Sequence, residues 1–181
     1  HAGALSTVVA SIPTRAVFAP KAAEVATSIE ARAERPVRAL SAGDQLRVGL
    51  WTLDVLWPPA TLPRGQPNDG ALVVRATSPG MSVLLGSDAE GAVLRRLSLG
   101  QVDVLKVSHH GSADPQLEAV LASMRPSVGV ISVGAGNSFG HPTAATLATL
   151  ERFGVDVRRT DLDGAVTVFA GSGGLLVSSG R

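Results

Sequence analysis

The sequence contains no cysteine, which excludes disulfide bonds and metal sites built from thiolates. Tyrosine is also absent, and aromatic residues make up only 3% of the chain. Scarce aromatics argue against binding of single-stranded nucleic acid by base stacking. No apolar run approaches the roughly 20 residues that a membrane span needs. The net charge is +1, so charge alone neither requires nor excludes a nucleic-acid partner.

Motifs for nucleotide binding and for serine catalysis are missing as well. Gly134-Ala-Gly136 is too short for a dinucleotide fingerprint, and the Gly-rich phosphate loop that ends in Lys-Ser or Lys-Thr does not occur. No serine is predicted at the strained strand-to-helix elbow of a serine hydrolase, which disfavours that class.

The composition favours a single globular domain over residues 1–181. Hydrophobic residues make up 45% of the chain and charged residues 17%, enough for a sizeable core of Ala, Val and Leu. The first residue is His rather than Met. We therefore expect the chain to be a piece of a longer protein and the domain to be partial.

The hydrophobic pattern predicts a mixed sheet with helices outside it. Neighbouring early strands predict antiparallel pairs, and the alternating strands and helices that follow predict parallel pairing. Asp88 and Asp114 are candidate N-caps of the helices that follow them. Helices are predicted over residues 5–10, 22–33, 89–97, 115–124 and 142–153. Strands are predicted over 15–18, 37–40, 46–48, 51–57, 71–76, 82–85, 102–107, 128–133, 156–158, 165–169 and 175–177.

Three successive predicted strands end in side chains that bind metals or carry protons. The first ends at Asp88, the second at the adjacent pair His109 and His110, and the third leads into the loop that contains His141. Because the carboxyl ends of parallel strands meet at one sheet edge, we expect these side chains to converge. Of the two adjacent imidazoles, one is expected to ligate a metal while the other orients it or shuttles protons.

Each of these residues also has a purely structural interpretation. Asp88 could simply cap a helix, the two adjacent histidines could make local hydrogen bonds, and His141 could be a polar residue ahead of a helix. Asn68-Asp-Gly70 is either a turn or a loop that faces the metals. Thr160-Asp-Leu-Asp-Gly164 is predicted to be a loop between strands.

These residues, in this order, resemble the metallo-β-lactamase-like domain at the C-terminal end of ComEC-type competence proteins. The resemblance is carried by Leu84–Asp88, Asp103–Ser112, Val130–Gly134, Asn137–Pro142 and Arg159–Ala165. It covers the last hundred residues well and the first eighty loosely. His1-Ala-Gly-Ala-Leu5 looks like the tail of the HxHxDH motif of that superfamily, with His1 as its last histidine.

The resemblance implies an αββα sandwich of mixed sheets with outer helices, incomplete at its N-terminus. It also implies two divalent metal ions at the sandwich edge. Asp88 would be the bridging carboxylate, His109 a further metal ligand, and His1 part of the second-metal shell. His110 and His141 would be catalytic, although His141 could instead be the late-motif ligand. Asn68, Ser112 and Asn137 would contact the substrate.

The chain also departs from the family pattern. The first two histidines and the aspartate of HxHxDH are absent, and the Asn68–Asp69 region stands where many members have a histidine. An oxygen-rich site leans toward Mn²⁺ over Zn²⁺. We therefore expect two ions in the intact domain, and one or none in this piece, which can be inactive.

The function implied is metal-dependent phosphodiester hydrolysis of DNA in a bacterial DNA-uptake protein. The partners would be DNA and the membrane channel of the same polypeptide. The domain would belong to a protein of the cytoplasmic membrane, on a side that the sequence does not indicate. The alternatives are an inert DNA-binding or channel-docking module, or another hydrolase of the same fold.

Overall fold

A computed structural model describes residues 5–21, 36–61 and 67–180. Its strands are β1 Val17–Pro20, β2 Val37–Leu40, β3 Gln45–Val48, β4 Trp51–Trp57, β5 Val73–Ser78, β6 Met81–Leu85, β7 Val104–Lys106, β8 Val128–Ile131, β9 Asp156–Arg159, β10 Ala165–Gly171 and β11 Gly174–Gly180. Its helices are α1 Leu5–Ser11, α2 Gly91–Leu94, α3 Leu117–Met124, α4 Ala144–Arg152 and α5 Thr160–Asp163. Two 3₁₀ turns cover Pro67–Gly70 and Ser108–Gly111. The helix predicted over 22–33 and His1 lie outside the described residues.

Seven strands form the main sheet, in the order β3-β4-β5-β6-β7-β8-β9. The pairs from β3 to β6 are antiparallel, and the pairs from β6 to β9 are parallel. The predicted change from antiparallel to parallel pairing is therefore confirmed. Two smaller sheets accompany the main one, the parallel pair β1-β2 and the antiparallel hairpin β10-β11.

The two faces of the main sheet are covered by different layers because side chains alternate along each strand. One face packs against the helices. The fully buried side chains between them include Leu84, Leu105 and Ile131 from the sheet and Leu121, Met124 and Leu150 from the helices. The opposite face packs against the β10-β11 hairpin through Met81, Val104, Val128, Val168, Leu175 and Val177. The carboxyl edge of β6, β7 and β8 lies between these layers, and the candidate site is built there.

Helix α2 is shorter than predicted, and the proposal that Asp88 caps it is wrong. The helix covers only Gly91–Leu94. Its N-cap residue is Glu90, whose side chain makes no capping hydrogen bond. The Gly91 amide instead donates to the Asp114 carboxylate at 2.7 Å. Asp114 also accepts from the Gln116 amide, but α3 begins only at Leu117 with Gln116 as its N-cap and without a side-chain capping bond, so the prediction that Asp114 caps this helix is wrong. Asp88 therefore does not begin α2.

Candidate functional site

The carboxyl ends of three adjacent parallel strands bring the predicted site residues together. Leu85 pairs with Lys106, and Lys106 pairs with Val130, so β6, β7 and β8 end level with one another. Asp88 follows the first strand, His109 and His110 the second, and the loop with His141 the third. The predicted convergence of these strand ends is therefore present in the structure.

The 3₁₀ turn Ser108–Gly111 has an unusual backbone. His109 and His110 have φ of 46° and 55°, in the left-handed region that costs non-glycine residues energy. The turn is held from both sides, because the His109 amide donates to the Ser87 carbonyl at 3.0 Å and the Thr143 amide donates to the Gly111 carbonyl at 2.9 Å. The left-handed conformation presents the two adjacent imidazoles to different neighbours.

His110 faces Asp88. Its Nδ1–H donates to the Ser132 carbonyl at 2.6 Å, so its Nε2 carries no proton in the neutral ring. This Nε2 lies 3.7 Å from Oδ1 of Asp88. Ligands of one metal ion lie about 2 Å from the ion and roughly 3–4 Å from each other, and the pair has that separation. A backbone carbonyl on the other ring nitrogen is a common way to orient a metal-binding imidazole.

His109 has a different anchor. Its Nδ1 donates to Oε1 of Glu90 at 2.8 Å, and the Ser112 hydroxyl donates to the same oxygen at 3.1 Å. Both contacts lead to Glu90, the N-cap residue of α2. Glu90 was not predicted as a site residue, and no local motif marks it. The Ser112 hydroxyl is engaged with Glu90, so its predicted contact with substrate remains a prediction.

His141 stands beside His109, with ring centroids 5.8 Å apart in an edge-to-face arrangement. Its Nδ1 is buried and has no hydrogen-bond partner among the described residues. Asn137 fixes the backbone there: its side-chain amide donates to the His141 carbonyl at 2.8 Å, and its oxygen accepts from the His141 amide at 3.2 Å. Asn137 thus holds the loop, and direct substrate contact by Asn137 remains a prediction.

A pocket of about 340 Å³ opens between the two loops. Its lining residues are His109, His110, Val133, Gly134, Asn137, Phe139 and His141. The Thr160 hydroxyl bonds to both the amide and the carbonyl of Val133, each at 2.8 Å, and so ties the end of β8 to α5. The region predicted as a loop at Thr160 is therefore a helical turn that supports the pocket wall.

Lys106 adds a positive charge to the same edge. Its ammonium lies 3.4 Å from the Ser87 carbonyl, next to Asp88 in the chain. Burial lowers the pKa of Lys106 below its ordinary value, and the Asp88 carboxylate opposes that effect. A cation beside the acidic side chain partly offsets its charge and suits an anionic ligand.

Asn68 lies in the 3₁₀ turn Pro67–Gly70 ahead of β5, where its carbonyl accepts from the Ala71 amide. The turn is linked to the site indirectly, because the Ser87 hydroxyl donates to the Leu72 carbonyl at 2.7 Å. The predicted role of Asn68 in substrate binding has no contact that tests it. The predicted role of His1 falls outside the described residues.

Within the described ranges, no group of three or more His, Cys, Asp and Glu side chains is placed to hold a metal ion. Asp88 and His110 supply an oxygen and a nitrogen at ligand spacing, which fits two positions of one ion. The unpartnered Nδ1 of His141 is a further nitrogen in the same region. The donors present fit part of a metal site, and a complete site needs ligands beyond them.

Comparison with known proteins identifies three curated relatives. The chain is 34% identical over 128 residues to ComE operon protein 3 of Bacillus subtilis, covering 68% of this chain and 16% of that protein. It is 36% identical over 104 residues to Recombination protein 2 of Haemophilus influenzae, covering 56% of this chain and 13% of that protein. It is 36% identical over 72 residues to Competence protein ComA of Neisseria gonorrhoeae, covering 40% of this chain and 10% of that protein. The chain therefore corresponds to a small part of each relative.

No protein-family model matches the chain. Among solved structures, it is similar to a protein from Parabacteroides distasonis to which metal-dependent hydrolase activity has been ascribed. The TM-score is 0.50 at 12% identity, over 81% of this chain and 64% of the other. Together with the mixed main sheet, the hairpin layer and the outer helices, this similarity confirms the predicted fold class. Of the helices described, none has the length and hydropathy of a membrane-crossing segment.

Proposed function

Because the chain is a homologue of the ComEC-type competence proteins and has a metallo-β-lactamase-like fold, we propose that it carries the metal-dependent phosphodiesterase site of a DNA-uptake protein. The observation that carries this proposal is the 3.7 Å approach of His110 Nε2 to Asp88 at the sheet edge. The substrate would be a DNA strand during import, and the membrane channel would be part of the same longer protein.

We assign the direct ligand role to Asp88 and His110. The Ser132 carbonyl fixes the proton of His110 on Nδ1, so Nε2 is the unprotonated nitrogen of the neutral ring and can serve as the metal ligand. His109, anchored by Glu90, is then the positioning or proton-carrying partner. This assignment is the reverse of the roles that the family resemblance implied for the adjacent pair. His141 lines the same pocket and is the candidate proton donor to the leaving oxygen.

When bound, a divalent ion supplies Lewis-acid polarisation of the phosphate and a water of lowered pKa. The residues of this chain perform the remaining tasks. Asp88 and His110 hold the ion, and the Lys106 ammonium next to Asp88 attracts the anionic substrate. Val133 and Phe139 add apolar surface to the pocket beside the histidines.

The test is cleavage of an end-labelled oligonucleotide in Mn²⁺, Mg²⁺ or Zn²⁺, with EDTA as the zero-metal control. We expect cleavage that needs metal and is lost in Asp88→Asn. Asp156→Asn is the matched control, because that carboxylate begins β9 at the opposite, amino edge of the sheet and is half exposed. Equal cleavage by both variants, or cleavage that survives EDTA, would overturn the proposal.

A second candidate is a module that binds DNA or docks onto the channel without cutting. The incomplete donor set among the described residues favours it. Metal content after purification, measured by elemental analysis, separates the two functions. Stoichiometric metal that disappears in Asp88→Asn supports the phosphodiesterase, and its absence in the unmodified protein supports the inert module.

A further inference from the structure

We propose that Phe139 is a stacking platform for one unpaired nucleobase of the DNA strand that enters the site. The inference rests on the proposed function, from which it takes DNA as the substrate class. It adds how that strand is positioned: the phosphate meets the Asp88–His110 edge, and an adjacent base lies flat against the Phe139 ring.

The first support is the exposure of Phe139, whose side chain is 80% exposed. Single exposed apolar residues are common on protein surfaces and by themselves mean little. Leu50, for example, is 79% exposed on the turn between β3 and β4. Phe139 differs from Leu50 because it lines the pocket that also contains His109, His110 and His141.

The second support is the orientation of the ring. Phe139 lies over His141 with centroids 6.2 Å apart and an angle of only 17° between the planes. The ring is therefore part of a parallel stack that begins at the pocket wall. A further flat ring, such as a nucleobase, extends such a stack at little geometric cost, and base–aromatic stacking tolerates any base.

The third support is the rigidity of the loop that carries Phe139. The side chain of Asn137 bonds to the His141 backbone in both directions, and these two residues flank Phe139. The Asn137 amide also donates to the Gly134 carbonyl at 3.3 Å. An exposed ring on a fixed loop is pre-organised, so little ordering is lost when a ligand stacks on it.

The size of the pocket and the composition of the chain agree with a single stacking position. About 340 Å³ is near the lower end of the range for small-ligand pockets, roughly 300–1,000 Å³. Aromatic residues are only 3% of the chain, which disfavours a long platform for many bases but leaves room for one. Bases in a duplex have their faces covered, so this position selects an unpaired nucleotide.

The experiment compares two fluorescein-labelled strands of equal length, an oligothymidylate and an abasic strand with the same sugar-phosphate backbone. Binding is measured by fluorescence anisotropy in EDTA at low salt, so that cleavage plays no part. We expect the protein to prefer the base-bearing strand by about 5-fold or more. Phe139→Leu should remove this preference, and Phe139→Trp should keep it.

Phe169→Leu is the matched control, because Phe169 is also exposed but lies on β10. It should leave the preference unchanged, and all variants should melt at the same temperature because both rings are largely outside the core. The inference is overturned if the unmodified protein binds both strands equally or binds neither, or if Phe139→Leu keeps the preference. If base preference holds but no metal supports cleavage, the phosphodiesterase fails and the stacking position stands.

Discussion

Two adjacent histidines in one turn have opposite surroundings. His110 faces Asp88 and donates its Nδ1–H to the Ser132 carbonyl, while His109 donates its Nδ1–H to the Glu90 carboxylate. Their exposures are nearly equal, at 31% and 28% of the side chain. Solvent access therefore does not distinguish them. The difference lies in the partners of the two rings, and these depend on the left-handed backbone that separates them.

The comparison shows how one residue type takes two roles at neighbouring positions. A neutral carbonyl fixes the tautomer of His110 without adding charge, which suits a metal ligand beside a carboxylate. The Glu90 carboxylate accepts the Nδ1 proton of His109 and orients its ring, which suits a positioning or proton-carrying group. The predictions below are ordered from the largest expected effect to the smallest, and each one tests this division of roles.

The largest effect is expected from removing one imidazole at a time. His110→Ala should lower Mn²⁺ affinity and oligonucleotide cleavage by more than about 100-fold, because it removes a ligand. His109→Ala should lower them by only about 10-fold, as expected for a group outside the ligand set. Isothermal titration calorimetry and initial cleavage rates measure the two quantities. If His109→Ala lost more metal affinity than His110→Ala, the two roles would be exchanged.

The second effect concerns the turn that separates the two imidazoles. Gly111 has φ of 82°, and a Cβ there would lie 2.6 Å from Cβ of Pro142. Gly111→Ala should therefore lower the free energy of unfolding by about 2–3 kcal/mol, through strain and overlap together. Gly136→Ala is the control, because Gly136 also has a positive φ of 67° but open space around it.

Urea denaturation of both variants measures the difference. Gly136→Ala should lose only about 1 kcal/mol, from the backbone conformation alone. Equal losses in the two variants would mean that the close approach of Gly111 to Pro142 does not add to the loss in the free energy of unfolding. The conformation of the Ser108–Gly111 turn would then depend on local backbone preference and not on its packing against Pro142.

Much of this edge could be predicted from the sequence, because it follows from strand order. Apolar runs that end at Asp88, at His109 and His110, and ahead of His141 predict parallel strands whose ends meet. The change from antiparallel to parallel pairing also follows from the spacing of strands and helices. Local patterns carry this information, since each strand is short and bounded by polar turns.

The contacts that divide the two imidazoles could not be predicted in the same way. They depend on backbone angles that histidine rarely adopts, and no sequence pattern marks a left-handed His-His pair. Glu90 was missed because the helix after Asp88 was expected to begin one residue later, at position 89, as a longer element. Phe139 was not predicted as a site residue, because an aromatic content of 3% disfavours base stacking along a strand, although one ring suffices for the proposed contact.

The third effect tests the anchor of His109. Glu90→Gln keeps the length of the side chain and an acceptor oxygen but removes the negative charge. We expect cleavage to fall by up to about 10-fold while Mn²⁺ affinity stays nearly constant, because His109 is outside the proposed ligand pair. Glu118→Gln is the control, since Glu118 is an exposed carboxylate on α3 that pairs with Arg152. A parallel loss of metal affinity in Glu90→Gln would place Glu90 or His109 among the ligands.

The smallest effect concerns the scaffold behind His110. Arg159 donates two hydrogen bonds to the Asp161 carboxylate next to Thr160, whose hydroxyl holds Val133 beside Ser132. The bonds from Arg159 lower the pKa of Asp161. A lowered folded-state pKa contributes stability that is present above the unfolded value of about 3.9 and is lost as the pH falls through the folded value.

Asp161→Asn should therefore lower the free energy of unfolding at pH 7 by about 0.5 kcal/mol, because the pair is only partly shielded from water. The variant and the unmodified protein should converge in stability below the folded-state pKa of Asp161, where that carboxyl is protonated. Asp156→Asn, in a more exposed pair with Arg158, should change stability less at pH 7. Urea denaturation at pH 7 and in acid measures both. If the difference in the free energy of unfolding between Asp161→Asn and the unmodified protein persisted unchanged in acid, Asp161 would act through packing. The scaffold behind His110 would then be stabilised by steric contact rather than by the ion pair with Arg159.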